Sequence, residues 1–399
     1  MRLFDTASGE LREFTPGPVV RMYTCGITPY DAAHLGHASV YLTYDILQRR
    51  LRDLGHETRC VRNVTDVDDD ILRKARELGV HYLDLAAEEM ARFDADMSAL
   101  GLLECFSEPR ATSAIPDILG FIGMVLESGH AYQAGGAVYF DVSSFDRFGQ
   151  ISHLDRDEML VLAAQHGGKP DDPNKGDPLD FVLWQPSAPD EPAWESLWGP
   201  GRPGWHIECS ALALRELGET IDLHGGGSDL IFPHHECETA QSEAATGSAF
   251  VRHWMHVGLV GLGGEKMSKS LGNLVFVGDL LKDWEAPAVR LSLLAHHYRD
   301  NWDWDDSMMQ DAGARLESWR SAAGRSKVGG PKAHAYSRAN SGAMRADPVP
   351  GGEALIDAVR ACLDDDLNVP GALRLIDQAV LDGMEVAPAA GLIGVSLDA

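Results

Sequence analysis

The feature that most restricts the fold is a change of apolar period that recurs along the chain. Val19 to Tyr23 form a mostly apolar run ending at Cys25-Gly26, which reads as a buried strand. A turn rich in Thr, Pro, Asp and His follows. Val40, Tyr44, Leu47, Leu51 and Leu54 then recur at helical spacing until Gly55 stops them, and Thr58 to Val61 start another strand. Strand, crossover helix and strand make a βαβ unit, which commits the chain to a parallel sheet with helices on its faces. The alternation resumes after Trp205 with a helix over 206–217, a strand over 220–224, a glycine loop and a helix over 229–245. A strand over 254–260 and a helix over 286–297 complete it. The predicted fold is therefore α/β, a Rossmann-like doubly wound parallel sheet, whose ligands sit beyond the carboxyl ends of the strands. Between the two halves, residues 84–204 read as an insertion. It is helical over 84–130, forms a hairpin from Tyr132 to Val142 around Gly135-Gly136, and is an ordered loop over 170–204. Residues 1–320 are expected to form the catalytic unit, 321–351 a linker and 352–399 a short helical region.

Composition narrows the function. With 34 Lys and Arg against 61 Asp and Glu, the net charge of -27 opposes a phosphate backbone, so no nucleic-acid partner is expected. The absence of a long apolar run or of a basic, apolar N-terminal leader leads to the expectation of a cytoplasmic protein without a membrane partner. Six cysteines in 399 residues are too sparse for a disulfide framework and read as free, reactive or metal-bound.

Three strings carry nucleotide chemistry. His34-Leu35-Gly36-His37 falls after the first strand, where a helix N-terminus and two imidazoles can face developing phosphate charge. Lys266-Met267-Ser268-Lys269-Ser270 follows Gly261-Leu262-Gly263-Gly264, a loop with two point charges suited to a triphosphate. Gly225-Gly226-Gly227-Ser228-Asp229 allows close nucleotide approach, with a carboxylate able to accept ribose hydroxyls. Alone, each reads equally well as a surface turn or cap. A fourth set is Cys25, Cys209, His234 and Glu238, with Cys237 nearby. His234 and Glu238 are four apart on one helical face, although no C-x-x-C pair marks a metal site.

In this order, His34 to His37 and Lys266 to Ser270 resemble the HIGH and KMSKS signatures of class I aminoacyl-tRNA synthetases, over roughly residues 1–320. The resemblance implies activation of a carboxylate by ATP with Mg²⁺, with His34, His37, Lys266 and Lys269 as catalytic residues. GWHIEC over 204–209 and GGGSDLIFPHHE over 225–236 resemble the cysteinyl branch. That branch implies one Zn²⁺ per chain on Cys25, Cys209 and His234, with Glu238 a possible fourth ligand, selecting the cysteine thiolate over a hydroxyl. It further implies that Cys25, Gly26, Ile27 and Thr28 hold cysteine and adenylate. Asn63, Val64 and Thr65 would line the same pocket, Trp205 would cover the substrate, Gly227, Ser228 and Asp229 would take the ribose, and Val260 the adenine.

Within the branch, CGITPYDAAHLGHA over 25–38 and AHHYRDNWDWD over 295–305 are similar to the ligases of mycothiol biosynthesis, which lack an anticodon-binding domain. That similarity implies AMP-forming transfer of cysteine to the amine of glucosaminyl-inositol by a monomer. Departures are Gln165-His166-Gly167-Gly168-Lys169-Pro170, where Glu-Arg-Gly-Gly-Asp-Pro is usual, and Val40, where Thr is usual. Glu238 and His224 match the tRNA enzymes instead. A truncated cysteinyl-tRNA synthetase, or a paralogue charging tRNA or a carrier, is the alternative, and a nucleotide-binding regulator without catalysis is a third.

Overall fold

The computed structural model describes residues 1–267, 272–327 and 352–398. At its centre is a four-stranded, wholly parallel sheet in the order Trp254–Val257, Leu223–Gly227, Val19–Ile27, Glu57–Val64. The register sets Met22 beside both Cys60 and Leu223, and Trp254 beside His224. The helix Leu35–Asp53 makes the first crossover and buries Leu42, Ile46, Leu47 and Leu51 against the sheet. Its basic last turn, Arg50 and Arg52, complements the helix dipole. All four strands deliver their carboxyl ends to one edge. Cys25, Asn63, Gly227 and Val257 therefore lie along a single rim.

The glycines after Leu223 belong to the strand itself and not to a loop. A Cβ on Gly225 would stand 1.9 Å from the Tyr44 hydroxyl and 2.0 Å from the Met255 carbonyl oxygen, so only glycine lets the neighbouring strand and helix close on this position. The helix expected over 229–245 is broken. Phe232 is extended, the Phe232-Pro233 peptide is cis, and the regular helix runs only over Glu236–Thr246. Proline's missing N–H and fixed φ account for the interruption.

The insertion holds the helices Tyr82–Ala99 and Ile115–Glu127 and the hairpin Ala131–Ala134 with Ala137–Phe140. The stretch 170–204, expected as a loop, adds two strands, Phe181–Pro186 and Gly201–Pro203, which complete a four-stranded antiparallel sheet. Six and three residues are too short for their period to show among prolines and glycines. Phe140, Leu183, Trp184 and Ile207 form a second core there.

The chain beyond Arg299 is more helical than its sequence suggests. A helix over Ser307–Lys327 precedes Gly352–Asp364, Val369–Leu381 and Ala387–Leu392, and the residues first read as linker begin inside it. Residues 328–351 lie outside the described residues. The C-terminal helices share the main core, with Leu355, Val359 and Ile376 in the same cluster as Leu47 and Leu51. No helix among the described residues is long and apolar enough to cross a membrane.

One buried ion pair ties these parts together. Arg290, 1% exposed, donates to Asp45 on the crossover helix and to the carbonyls of Ile393, at 2.9 Å, and Leu100, at 3.0 Å. Burial alone would raise the Asp45 carboxyl, but Arg290 and Arg49 hold it below the usual aspartate value of 3.8. A depressed acid contributes stability above its unfolded pKa and loses it as pH falls through the folded one. Arg290→Met leaves the buried Asp45 with Arg49, at 2.8 Å, as its remaining cationic partner, and the expected cost at pH 7 is about 3 kcal/mol in urea unfolding. The gap to wild type is expected to narrow below pH 3.8 as Asp45 protonates in both proteins. A constant gap would remove the pair from this role.

Candidate active site and metal centre

The rim opens into a cleft of about 1380 Å³ between the parallel sheet and the insertion. Cys25, Gly26, Ile27 and Thr28 line it at the end of their strand, together with His34, His37, Trp205, Gly227, Asp229 and Val260. Asn63, Val64 and Thr65 do not line it; they are buried one layer behind. The Asn63 side chain accepts from the Gly26 amide at 2.8 Å and donates to the Thr65 hydroxyl at 3.1 Å, so it shapes the wall from the rear. Ser228 begins the short turn after the glycine strand, between two residues that reach the cleft.

His34 is the N-cap of the crossover helix, its Nδ1 accepting from the Gly36 amide at 3.1 Å. The His34 and His37 rings stack with centroids 3.9 Å apart. A Cβ on residue 36 would stand 2.8 Å from the His34 ring, which gives that glycine a packing reason besides phosphate approach. Lys266 ends the short strand Glu265–Lys266, while Lys269 lies outside the described residues.

Behind Cys25, which alone of the four predicted metal ligands lines the cleft, those ligands converge as a buried floor. The ligand atoms of Cys25, Cys209, His234 and Glu238 all lie within 4.8 Å of one another, and all four residues are buried. Cys25 Sγ is 3.9 Å from Cys209 Sγ and 3.4 Å from Glu238 Oε1, and His234 Nε2 is 2.9 Å from the same oxygen. A tetrahedral zinc with bonds of about 2.0–2.3 Å separates its ligands by roughly 3.3–3.8 Å, so this set of two thiols, one imidazole and one carboxylate fits that ion. A second grouping, Cys25, His224, His235 and Glu238, shares two of its members.

The charge pattern calls for positive charge at this point, and against the effect of burial Glu238 and Cys209 raise the His234 imidazole to about 10. Burial would raise Glu238, yet His224, at 3.0 Å from Oε2, and His234 hold it down to about 2. Burial would also raise the Cys209 thiol, but donation from Cys25 and the nearby His234 bring it to about 6. The outer histidines are neutral: burial drives His235 well below its usual value and His256 to about 3. They form a relay in which His235 Nδ1 meets His256 Nε2 at 2.7 Å, and His256 Nδ1 meets the Thr6 hydroxyl at 2.7 Å. His206 Nδ1 lies 2.8 Å from His234 Nδ1, which turns His234 Nε2 toward the carboxylate. Such outer partners orient metal-binding imidazoles. Trp205 stacks on the His234 ring with centroids 4.3 Å apart and roofs the floor. Sequence reasoning did not assign His206, His235 or His256 to the site; the first two stand in strings that it quoted, and His256 has no local signal.

The geometry is that of a class of proteins with known relatives. Residues 13–314 match the family model for the class I (C) tRNA synthetase catalytic domain. The Mycobacterium tuberculosis methionyl-tRNA synthetase, in complex with methionyl-adenylate, superposes with a TM-score of 0.67 at 18% identity, over 91% of this chain and 82% of that one. That likeness concerns the fold alone. Curated L-cysteine:1D-myo-inositol 2-amino-2-deoxy-alpha-D-glucopyranoside ligases are far more similar in sequence. The one from Nocardiopsis dassonvillei is 45% identical and the one from Thermobispora bispora 46%, each over 100% of this chain and 94% of its own length. The ligase from a Parafrankia species is 48% identical over 94% of this chain and 81% of its own. The chain belongs to the class I (C) synthetase catalytic family and, within it, to the family of these cysteine-dependent ligases.

If the floor is one metal centre, its ligands differ in what their loss does. Cys209→Ala is expected to abolish metal retention after dialysis, measured by atomic emission, and retention in this variant would place the ion on Cys25, His224, His235 and Glu238 instead. Glu238→Gln is expected to weaken metal affinity about 10- to 100-fold in chelator competition, since it alters a ligand and the His224 bond together. Full metal content in both variants would exclude the tetrad as the site.

Proposed function

We propose that this protein activates L-cysteine with ATP and transfers the cysteinyl group to the amine of 1D-myo-inositol 2-amino-2-deoxy-α-D-glucopyranoside, releasing pyrophosphate and AMP. The observation that carries the reading is the buried thiol, imidazole and carboxylate set, which meets the cleft of the His34–His37 helix N-terminus through Cys25. The relatives named above supply the acceptor.

In the first step the cysteine carboxylate attacks the α-phosphorus of ATP, and pyrophosphate leaves. His34 and His37, at the positive end of their helix, face the phosphate charge, and Lys266 and Lys269 act on the outer phosphates. ATP enters with Mg²⁺ as its counter-ion. Asp229 accepts the ribose hydroxyls, and the backbone at Val260 meets the adenine. Cys25 to Thr28 hold the cysteinyl part, under Trp205. Cys25, Cys209, His234 and Glu238 are the residues that would hold zinc, whose chemistry here is that of a soft Lewis acid able to take a substrate thiolate. In the second step the neutral acceptor amine attacks the acyl carbon, AMP carries away the bonding pair, and the amine proton goes to solvent.

Two outcomes follow for the purified protein. Cysteine and ATP alone are expected to support pyrophosphate exchange, and serine is expected to be slower by about 10⁴-fold. Adding glucosaminyl-inositol is expected to give one AMP per amide formed. Exchange that requires the acceptor would contradict the two-step order, and charging of tRNA-Cys at the rate of the sugar reaction would favour an RNA acceptor.

A further inference from the structure

The adenylation residues occupy the sheet side of the cleft and leave its other wall unexplained. That wall comes from the insertion. It presents the aromatic rings of Phe148 and Phe181 together with Gln165 and Lys175. Apolar ring faces next to hydrogen-bonding side-chain ends match a polyol, whose C–H faces are apolar and whose hydroxyls lie at the edges.

Lys175 is the distinctive member. It is half-buried, yet among the described residues its ammonium lies within 4 Å of no carboxylate oxygen and donates no hydrogen bond. Two carboxylates act on it from nearby, but both are committed elsewhere. Asp172 accepts from the Tyr139 hydroxyl at 2.8 Å and from the backbone and side chain of Asn174, each at 3.0 Å. Asp180 accepts from the Tyr132 hydroxyl at 2.6 Å and from the amides of Val142 and Asp177, both at 2.9 Å. Lys175 also lies within electrostatic reach of Cys237, one residue before Glu238. Lys175 and Cys237 line the same cleft, which Cys25 also lines. Three donor positions, partly withdrawn from water and without a protein partner, leave a ligand to complete them.

Resting on the function proposed above, we infer that Lys175 is a specificity-determining residue for the acceptor, donating hydrogen bonds to hydroxyls of a neutral polyhydroxylated amine that packs against Phe148 and Phe181. It acts on the second half-reaction and contributes nothing to adenylate formation.

The test separates the two halves. Lys175→Met and Lys175→Gln are assayed for cysteine-dependent ATP–pyrophosphate exchange and for glucosaminyl-inositol-dependent AMP release. The acceptor KM is expected to rise about 10- to 100-fold in both variants, the loss of one or two charge-assisted hydrogen bonds, with exchange within twofold of wild type. Lys175→Arg is expected to recover most of the acceptor KM. Intact exchange also shows that the variants are folded. An unchanged acceptor KM would overturn the assignment, as would a parallel loss of exchange, which would place Lys175 in the cysteine or nucleotide half. If wild-type protein shows no exchange at all, the adenylation reading fails instead.

Discussion

A carboxylate that is completely buried and still ionised organises this molecule's working end. Glu238 can keep its charge away from water because His224 and His234 meet its two oxygens at 3.0 and 2.9 Å. An isolated buried carboxylate would cost several kcal/mol and would protonate instead. The same oxygen that faces His234 also faces Cys25. The result is a compact pocket of thiols and carboxylate that holds positive charge, for against the effect of burial Glu238 and Cys209 raise the His234 imidazole to about 10, and a divalent cation would take the place of that proton.

That pocket depends on the topology around it. Cys25 ends a central strand, Cys209 stands on the helix Trp205–Leu217, and His234 and Glu238 flank the start of the helix Glu236–Thr246. The parallel arrangement brings those three elements to one edge of the sheet, where the N-terminus of the helix Leu35–Asp53 also lies. On the proposed function, selection of the amino acid and its activation share one edge of the sheet. The insertion closes the cleft from the other side, and its antiparallel sheet supplies a wall that the nucleotide chemistry leaves unused.

Much of this could be read from the chain. The switch from strand to helix period between Tyr23 and Val40 fixed a βαβ unit, and the four metal-binding candidates were named from residue type and from their position at the rim. Glycine misled where its role is packing: Gly225 to Gly227 look like a loop, but they are strand residues, and Tyr44 and Met255 make glycine obligatory at Gly225. The two strands within 170–204 were hidden because their partners lie far away in sequence and their own lengths carry no period. His256 was unreadable for the same reason. It reaches the floor only through His235, and that contact exists because the strand Trp254–Val257 is paired with Leu223–Gly227. Asn63 was read as a pocket-lining residue, and it acts one layer back through the Gly26 amide.

The central claim is that the buried tetrad chooses the substrate by its sulfur. Zinc-edge X-ray absorption on the metal-loaded protein, with and without cysteine, reads this directly. The account predicts two sulfur scatterers in the free protein and three when cysteine is bound, with no change on adding serine. A sulfur count that stays at two in the presence of saturating cysteine would contradict it.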